Sequence, residues 1–299
     1  MTAPRPGCGS FELRTLCAVV LALAFGSARA QVFQVDLVPR ADVQARLHAY
    51  GGTNAERGAR LKKLFVNAGC GEHVSEQPVR HAREPNVICV LPGTSDRFII
   101  VGAHFDRVPG SRGVADNWSG ASLLPSLYTA LKVEPRRHTY IFIGFSDEEK
   151  GLVGSQWYVH KMTPAQVAAT DAMINLDTLG LAPTEVWAHR ADKGLTLALY
   201  SVAQYLKLPL RSVNFEEVGS TDSQSFRQRK IPVLTVHSLT QRSEDKNILH
   251  TGKDNLSVMK LHDYYDSYRL MAVYLGYLDG LLIGPPQPQA TATTSKTGP

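Results

Sequence analysis

Three consecutive acidic residues, Asp147, Glu148 and Glu149, follow an apolar run within the segment FIGFSDEEKGLVGS at 142–155. Neighbouring carboxylates at the end of a strand repel one another, so the pattern indicates that a cation binds there. A divalent metal ion would supply this charge, with one glutamate as its ligand and the other free to take a proton from an activated water molecule. A short acidic motif alone is also typical of a solvated turn, so the interpretation depends on the rest of the chain.

Residues of the types that bind metals also follow other apolar runs. His104 and Asp106 come soon after the apolar run 97–102, and side chains two apart in an extended segment point the same way, so Asp106 can lie beside His104 and fix its tautomer. Three more candidates come later in the chain, Asp116, Asp177 and His250. Because reactive groups in open α/β sheets collect at the carboxyl ends of strands, we expect these side chains to meet. Two histidines with several carboxylates suit zinc or, with less selectivity, cobalt or manganese.

The elements that would position these side chains alternate along the chain. Apolar residues at helical spacing predict two helices within residues 39–68. Beyond them, strands are predicted at 74–79, 86–91, 97–102, 139–145, 172–176, 185–188 and 233–236, and helices at 119–132, 152–160, 194–206 and 257–282. Pro125 should kink its helix or delay the start of that helix. The alternation predicts a single three-layer α/β domain with a mixed, mostly parallel central sheet flanked by helices.

The N-terminal segment differs from the rest of the chain. Basic residues precede a ten-residue apolar run at 16–25, and small residues follow at 27, 28 and 30, which is typical of a cleaved secretion signal. We therefore predict that residues 1–30 are removed, that the mature chain begins at Gln31, and that the protein is secreted or periplasmic.

Composition limits the remaining classes. With 43% hydrophobic and 20% charged residues, the chain can bury one large core, which we place at residues 31–283. The Pro/Thr-rich residues 284–299 predict a disordered tail. The formal net charge of +5 is not concentrated in basic runs, so we expect no nucleic-acid partner. No apolar stretch approaches the length of about 20 residues that a membrane span needs.

The cysteines are predicted to form one disulfide bond. Cys8 and Cys17 would leave with the signal, and Cys70 and Cys89 would remain as a pair in an oxidising setting. The alternative is two buried free thiols. A bridge that closes a loop of this length would stabilise the fold by about 3 kcal/mol.

Five segments together resemble the M28 family of zinc aminopeptidases: GAHFDRV, ADNWSGASLL, FSDEEKGLVGS, NLDTLG and HTGKDN. They occur in the family's order and approximate spacing over most of residues 85–260. The resemblance implies a zinc-exopeptidase-like fold with two zinc ions per chain, and a substrate that is a peptide with a free N-terminus.

The resemblance also implies a role for each matching residue. His104 and Asp177 would hold one zinc ion, Glu149 and His250 would hold the other, and Asp116 would bridge both. Glu148 would be the general base, and Asp106 joins the catalytic set as the partner of His104. One metal ion would hold the substrate's α-amine, which makes the enzyme an exopeptidase.

Two alternatives stay open. One is a single-zinc acyltransferase of the glutaminyl-cyclase type, whose members resemble the same fold but lose the first histidine ligand, whereas His104 is present here. The other is a non-catalytic zinc-binding domain of the same fold. The sequence does not indicate the preferred N-terminal residue, whether a related amide is cleaved instead of a peptide, or the oligomeric state.

Other polar residues are further candidates for the site. His237 ends a predicted strand and is a candidate for contact with the substrate or with a metal ligand. Ser223 stands where many relatives carry histidine, and Asp222 before it is interpreted as the N-cap of a short helix. The remaining histidines are predicted to lie on the surface, namely His48, His73, His81, His138, His160, His189 and His262.

Overall fold

The computed structural model of the chain describes residues 18–20, 32–133, 136–213, 219–240 and 247–282. The strands are β1 (Ala18–Val20), β2 (Val32–Gln34), β3 (Val74–Gln77), β4 (Asn86–Leu91), β5 (Phe98–His104), β6 (Thr139–Phe145), β7 (Thr170–Leu176), β8 (Glu185–Trp187), β9 (Arg211–Val213) and β10 (Val233–His237). The helices are α1 (Arg40–His48), α2 (Asn54–Asn67), α3 (Ser119–Leu131), α4 (Val153–Lys161), α5 (Pro164–Ala169), α6 (Lys193–Leu206), α7 (Ser223–Arg227) and α8 (Leu261–Leu281).

The predicted chain ends lie almost entirely outside the described residues. Of the predicted signal the structure describes β1, which pairs antiparallel with β2 apart from the main sheet. The predicted tail at 284–299 is outside the described part. Signal, domain limits and tail therefore stay predictions.

The main sheet has eight strands in the order β3-β4-β6-β5-β7-β10-β8-β9. The four central strands, β6, β5, β7 and β10, are mutually parallel, and β8 and β9 also run parallel to each other. Antiparallel pairs join β3 to β4, β4 to β6 and β8 to β10. The predicted mixed, mostly parallel sheet is confirmed. Because the central strands are parallel, their carboxyl ends meet at one edge.

Both faces of the sheet are covered. On β5, Val101 belongs to the larger core cluster, which includes residues of α1, α2, α3, α6 and α8. Its neighbour Ile100 belongs to the smaller cluster, with residues of α4 and α7 such as Val159 and Phe226. Successive side chains of a strand point to opposite faces, so a strand that is buried on both faces reads as one continuous apolar run.

Some element limits differ from the predicted ones. β3 ends at Gln77, because Pro78 cannot donate to a strand ladder. α3 begins at Ser119 despite Pro125, so the predicted late start is wrong; nearly every residue of this helix is buried, and that packing outweighs the missing backbone donor. The long last helix begins at Leu261, after a separate short turn at Leu256–Val258. The short strand β9 was not predicted, since three residues carry no clear period.

The predicted disulfide is confirmed, with Cys70 and Cys89 joined by an S–S bond of 2.07 Å. It ties the turn after α2 to β4. Among the described residues, no helix combines the length and apolar character needed to span a bilayer.

Candidate metal centre

The six candidate residues of the predicted metal and base set come from five separate segments. His104 is the last residue of β5, and Asp177 follows β7 directly. Glu148 and Glu149 begin a 3-10 turn after β6. Asp116 lies in the segment Val114–Trp118 before α3, and His250 lies in the connection between β10 and α8. The parallel strands bring the first four to one sheet edge, as predicted, and the two connecting segments reach the same edge.

The donor atoms converge around Asp116, which faces both histidines. Asp116 Oδ1 lies 3.2 Å from His104 Nε2, and its Oδ2 lies 3.1 Å from His250 Nε2. Asp177 Oδ1 lies 3.7 Å from His104 Nε2, and Glu149 Oε2 lies 3.0 Å from His250 Nε2. The arrangement has two halves that share one carboxylate.

Glu148 lies beside this arrangement, with Oε2 at 4.0 Å from His104 Nε2. Two overlapping groups offer ligand atoms within 4.8 Å of one another: His104 with Glu148 and Asp177, and His104 with Asp116 and Glu149. Imidazole nitrogens and carboxylate oxygens at these separations are a suitable donor set for a divalent metal ion.

Asp106 lies beside His104, as the spacing of the two residues predicted, and it also contacts the turn that carries the two glutamates. Its Oδ1 lies 3.4 Å from His104 Nδ1, an electrostatic contact that is not directed well enough for a hydrogen bond. Its two oxygens accept from the backbone N–H groups of Glu148 and Glu149 at 3.1 and 3.2 Å. Asp106 therefore leaves His104 Nε2 facing the cluster and holds the turn that carries both glutamates.

The cluster contains several buried acidic groups, which a nearby positive charge would stabilise in their charged form. Burial raises the pKa of Glu148 to about 10, against the effect of His104, and the negative charges of Asp222, Asp177 and Asp116 add to this rise. Burial also raises the pKa of Glu149, although its hydrogen bond to His250 opposes the rise. A bound divalent cation would reverse these shifts, because it favours the charged carboxylates.

The two histidines act as the positive partners among the protein's own groups. Burial works to lower the pKa of His104, but the charge of Glu148 and contacts with the neighbouring aspartates raise it well above its ordinary value. Hydrogen bonds to Asp116 and Glu149 raise the pKa of His250 to about 10. The nitrogens that face the acids are the ones that a metal ion would take.

A cavity of about 180 Å³ adjoins the cluster. The cluster residues line it together with Thr178, Trp187, Gly219, Ser220, Thr221, Thr235, His237, Leu239 and Leu249. His237, a candidate from the sequence for contact with the substrate or with a metal ligand, lines this cavity. Its Nδ1 accepts from the Leu239 N–H at 3.1 Å. Burial lowers the pKa of His237 to about 4, so the ring is neutral at physiological pH.

The segment at 220–223 contacts the site in a way that the sequence did not predict. Thr221 Oγ1 donates to Asp177 Oδ2 at 2.6 Å and accepts from Asn175 Nδ2 at 2.6 Å, so it orients the Asp177 carboxylate. Asp222 occupies the N-cap position of α7, as interpreted, but its side chain makes no capping hydrogen bond to described residues. It is buried, and burial raises its pKa to about 7. Ser223 Oγ lies 2.8 Å from Thr235 Oγ1.

Two further polar residues have surroundings that the sequence analysis did not predict. Asp254 is fully buried and binds the backbone that carries Asp116. Its position in the HTGKDN segment was the signal that could have singled it out. The prediction that His138 lies on the surface is wrong: its ring is buried between two carboxylates at the opposite end of the sheet, because partners distant in sequence surround it.

Fold and cluster together define an α/β domain with a two-part metal donor set at the carboxyl edge of its sheet. The sequence profile of peptidase family M28 matches residues 86–275, and the chain belongs to this family.

Curated relatives include aminopeptidase YwaD of Bacillus subtilis, 26% identical over 208 residues that make up 67% of this chain and 43% of the relative. Leupeptin-inactivating enzyme 1 of Streptomyces exfoliatus is 28% identical over 236 residues, which make up 72% of this chain and 53% of that protein. The chain thus spans about half the length of these relatives.

Solved structures share the fold. The zinc aminopeptidase BSAP of Bacillus subtilis superposes with a TM-score of 0.59 at 23% identity, covering 64% of this chain and 49% of that one. LapA aminopeptidase of Legionella pneumophila gives a TM-score of 0.69 at 20% identity, covering 80% and 70%. A glutaminyl cyclase from an Acidobacteriales bacterium gives 0.65 at 16% identity, covering 81% and 92%.

Proposed function

We propose that this protein is a zinc-dependent aminopeptidase that hydrolyses N-terminal residues from peptides at a two-metal site. The observation that carries the proposal is the pair of donor sets that share Asp116, with Glu148 beside them. Two unlike halves with one common carboxylate suit two adjacent metal ions better than one. Membership of peptidase family M28 supports the same conclusion.

Each residue has a separate role in this proposal. His104 and Asp177 would hold one zinc ion, Glu149 and His250 would hold the second, and Asp116 would contact both. When bound, the ions would polarise the scissile carbonyl and lower the pKa of water. Asp106 would keep His104 in the required tautomer.

Glu148 would act as the general base. It would take a proton from the attacking water and transfer it to the leaving amine, which requires a carboxylate close to the ligands that is not itself a ligand. Its position 4.0 Å from His104 Nε2 supports this role. Burial against other acids keeps the affinity of Glu148 for a proton high, and bound cations would bring its pKa back towards the working range.

The substrate in this proposal is a peptide with a free N-terminus. The acid cluster attracts an α-ammonium group, and the adjoining cavity of about 180 Å³ has room for one side chain of moderate size. A blocked N-terminus would lack the positive charge. The predicted secretion signal supports activity outside the cytoplasm.

Initial rates on aminoacyl-anilides with free and acetylated N-termini test the proposal, with zinc content measured on the same sample. We expect turnover of the free substrates only, two zinc ions per chain, and loss of turnover after chelation that added zinc restores. Protein that carries two zinc ions but turns over none of a broad panel would contradict the proposed activity.

The second candidate is a glutaminyl-cyclase-like acyltransferase, favoured by the cover of 92% of a solved glutaminyl cyclase. In that case, the same samples would carry one zinc ion, and glutaminyl peptides would be cyclised while other aminoacyl substrates stay intact. The presence of His104 in the donor set favours the two-metal aminopeptidase over this alternative.

A further inference from the structure

The backbone before Asp116 lies against a buried carboxylate that belongs to a distant segment. Asp254 Oδ1 accepts from the N–H groups of Val114 at 3.1 Å and Ala115 at 2.6 Å, and Oδ2 accepts from the N–H of Asp116 at 3.2 Å. Ser111 Oγ lies 3.5 Å from Asp254 Oδ2. Three consecutive peptide N–H groups therefore point at one side chain, which fixes the orientation of the peptide units that lead into Asp116.

A buried cation holds the carbonyl groups of the same region. Arg57 of α2 is fully buried and donates to the carbonyl oxygens of Phe105, Arg112 (3.3 Å) and Gly113 (3.0 Å). Its guanidinium also lies over the Trp118 ring at 5.2 Å. Arg57 thus joins the end of β5 to the loop before Asp116, while Asp254 holds the amides of that loop from the other side.

Asp254 also connects two segments that contribute to one half of the cluster. It follows His250 by four residues. His250 has a left-handed backbone, with φ of 58°, and its side chain is 59% exposed, so local packing restrains it weakly. A buried anchor four residues away sets where the His250 backbone can lie relative to Asp116. The link therefore reaches two ligands of the half formed by Asp116, Glu149 and His250, but only the shared Asp116 in the half with Asp177.

We propose that Asp254 is a positioning residue for the metal ion held by Asp116, Glu149 and His250, acting through the backbone of both segments. The inference rests on the proposed metal centre. It predicts an unequal effect: loss of Asp254 weakens the zinc site in which it reaches two ligands much more than the site in which it reaches only the shared Asp116. A residue that only supports the fold would affect both sites together.

The test compares Asp254→Asn with Asp279→Asn. Asp279 is a matched control, because its carboxylate also accepts backbone N–H groups, those of Arg137 and His138, but at the opposite end of the sheet. Zinc is titrated into metal-free protein against a chromophoric chelator, and the melting temperature of each metal-free protein is recorded.

For Asp254→Asn we expect one of the two zinc dissociation constants to rise by about 10- to 100-fold, the usual effect of losing a partner that orients ligands, and the other to stay within about threefold. Turnover should fall at limiting zinc and recover largely at excess zinc. Asp279→Asn should lower the melting temperature and leave both constants unchanged.

Three results would overturn the inference: unchanged zinc affinities in Asp254→Asn, equal loss at both sites, or loss of turnover that excess zinc does not restore. Asp254→Glu keeps the charge and gives a second variant if Asp254→Asn does not fold, with the same unequal effect expected. Wild-type protein that binds no zinc would overturn the proposed function as well, whereas two zinc ions bound with equal losses in the variant would count against Asp254 alone.

Discussion

Glu148 and Glu149 are adjacent in the chain yet face different partners. They begin the 3-10 turn Glu148–Lys150, in which successive side chains diverge by about 120°. Glu149 Oε2 thus lies 3.0 Å from His250 Nε2, whereas Glu148 Oε2 lies on the His104 side. Asp106 holds both backbone N–H groups, which keeps the two directions apart.

Substituting the two glutamates one at a time should separate metal binding from proton transfer. Glu149→Gln replaces an anionic oxygen donor, so we expect loss of one zinc ion together with activity. Glu148→Gln removes no ligand, so both zinc ions should stay bound while kcat falls by roughly a hundred- to ten-thousand-fold. Metal analysis and steady-state kinetics on the two purified variants check this.

Each variant serves as the control of the other, because they differ by one position and carry the same substitution. KM of Glu148→Gln should change much less than kcat, since a general base acts mainly in the transition state. Retention of near-native turnover in Glu148→Gln, or its purification with a single zinc ion, would show that the roles are reversed or that the mechanism is wrong.

One buried histidine joins three secondary-structure elements, β6, β7 and α8, at the end of the sheet away from the cluster. His138 precedes β6; its Nε2 lies 3.0 Å from Asp171 Oδ2 of β7, and its Nδ1 lies 3.0 Å from Asp279 Oδ1 of α8. Arg97 before β5 pairs with the same Asp171. Since β6 has seven residues, this His138 bridge lies about 20 Å from the cluster.

The His138 bridge should make stability depend on pH. Burial works to lower the pKa of His138, but hydrogen bonds to Asp279 and Asp171 raise it above the ordinary value of 6.5. Its contribution is then fully present below the unfolded pKa of about 6.5 and is lost as pH rises through the higher folded pKa. His138→Gln should therefore destabilise the protein by on the order of 3 kcal/mol near pH 6 and by clearly less near pH 9.

Urea unfolding of wild type and variant at both pH values, under identical zinc conditions, measures this difference. His262→Gln is a suitable control, because His262 also neighbours two carboxylates of α8 but its side chain is 71% exposed. We expect that control to change stability little at either pH. An effect of His138→Gln that is equal at both pH values would contradict a charged bridge.

The proposed metal centre connects parts of the molecule that are far apart in sequence. The donors come from positions between His104 and His250, and the carboxylates among them repel one another without a cation. Ligand binding to the folded state alone stabilises it by about 4 kcal/mol at a thousandfold excess over Kd. The folded domain should therefore be markedly more stable with zinc.

We expect chelation to lower the melting temperature by on the order of 10 °C, and added zinc to restore it. Scanning calorimetry with parallel metal analysis makes the measurement. Glu149→Gln should show a smaller zinc-dependent shift than wild type, because it binds one ion less. A melting temperature that does not change after complete removal of zinc would contradict this coupling.

The class of fold and the residues of the candidate site could be predicted from the sequence. Apolar runs marked the strands, because burial on both faces of a parallel sheet leaves that local pattern. The side chains at their ends, such as His104 and Asp177, indicated a metal site, and the family segments implied which residue would be which ligand. Cys70 and Cys89 were predicted as a pair since no other cysteines would remain. Export and a mature start at Gln31 stay predictions.

The distant residues that surround these groups could not be predicted from the sequence. The order of the strands depends on contacts between segments far apart in the chain, and local periodicity does not encode them. His138 was predicted to lie on the surface because its acidic partners are 33 and 141 positions away. The carbonyl partners of Arg57 are likewise 48 to 56 positions away. Asp254 looks like one more loop acid until folding brings it onto the amides before Asp116. A buried charge is stable only with such partners, and these partners come together only when the chain folds.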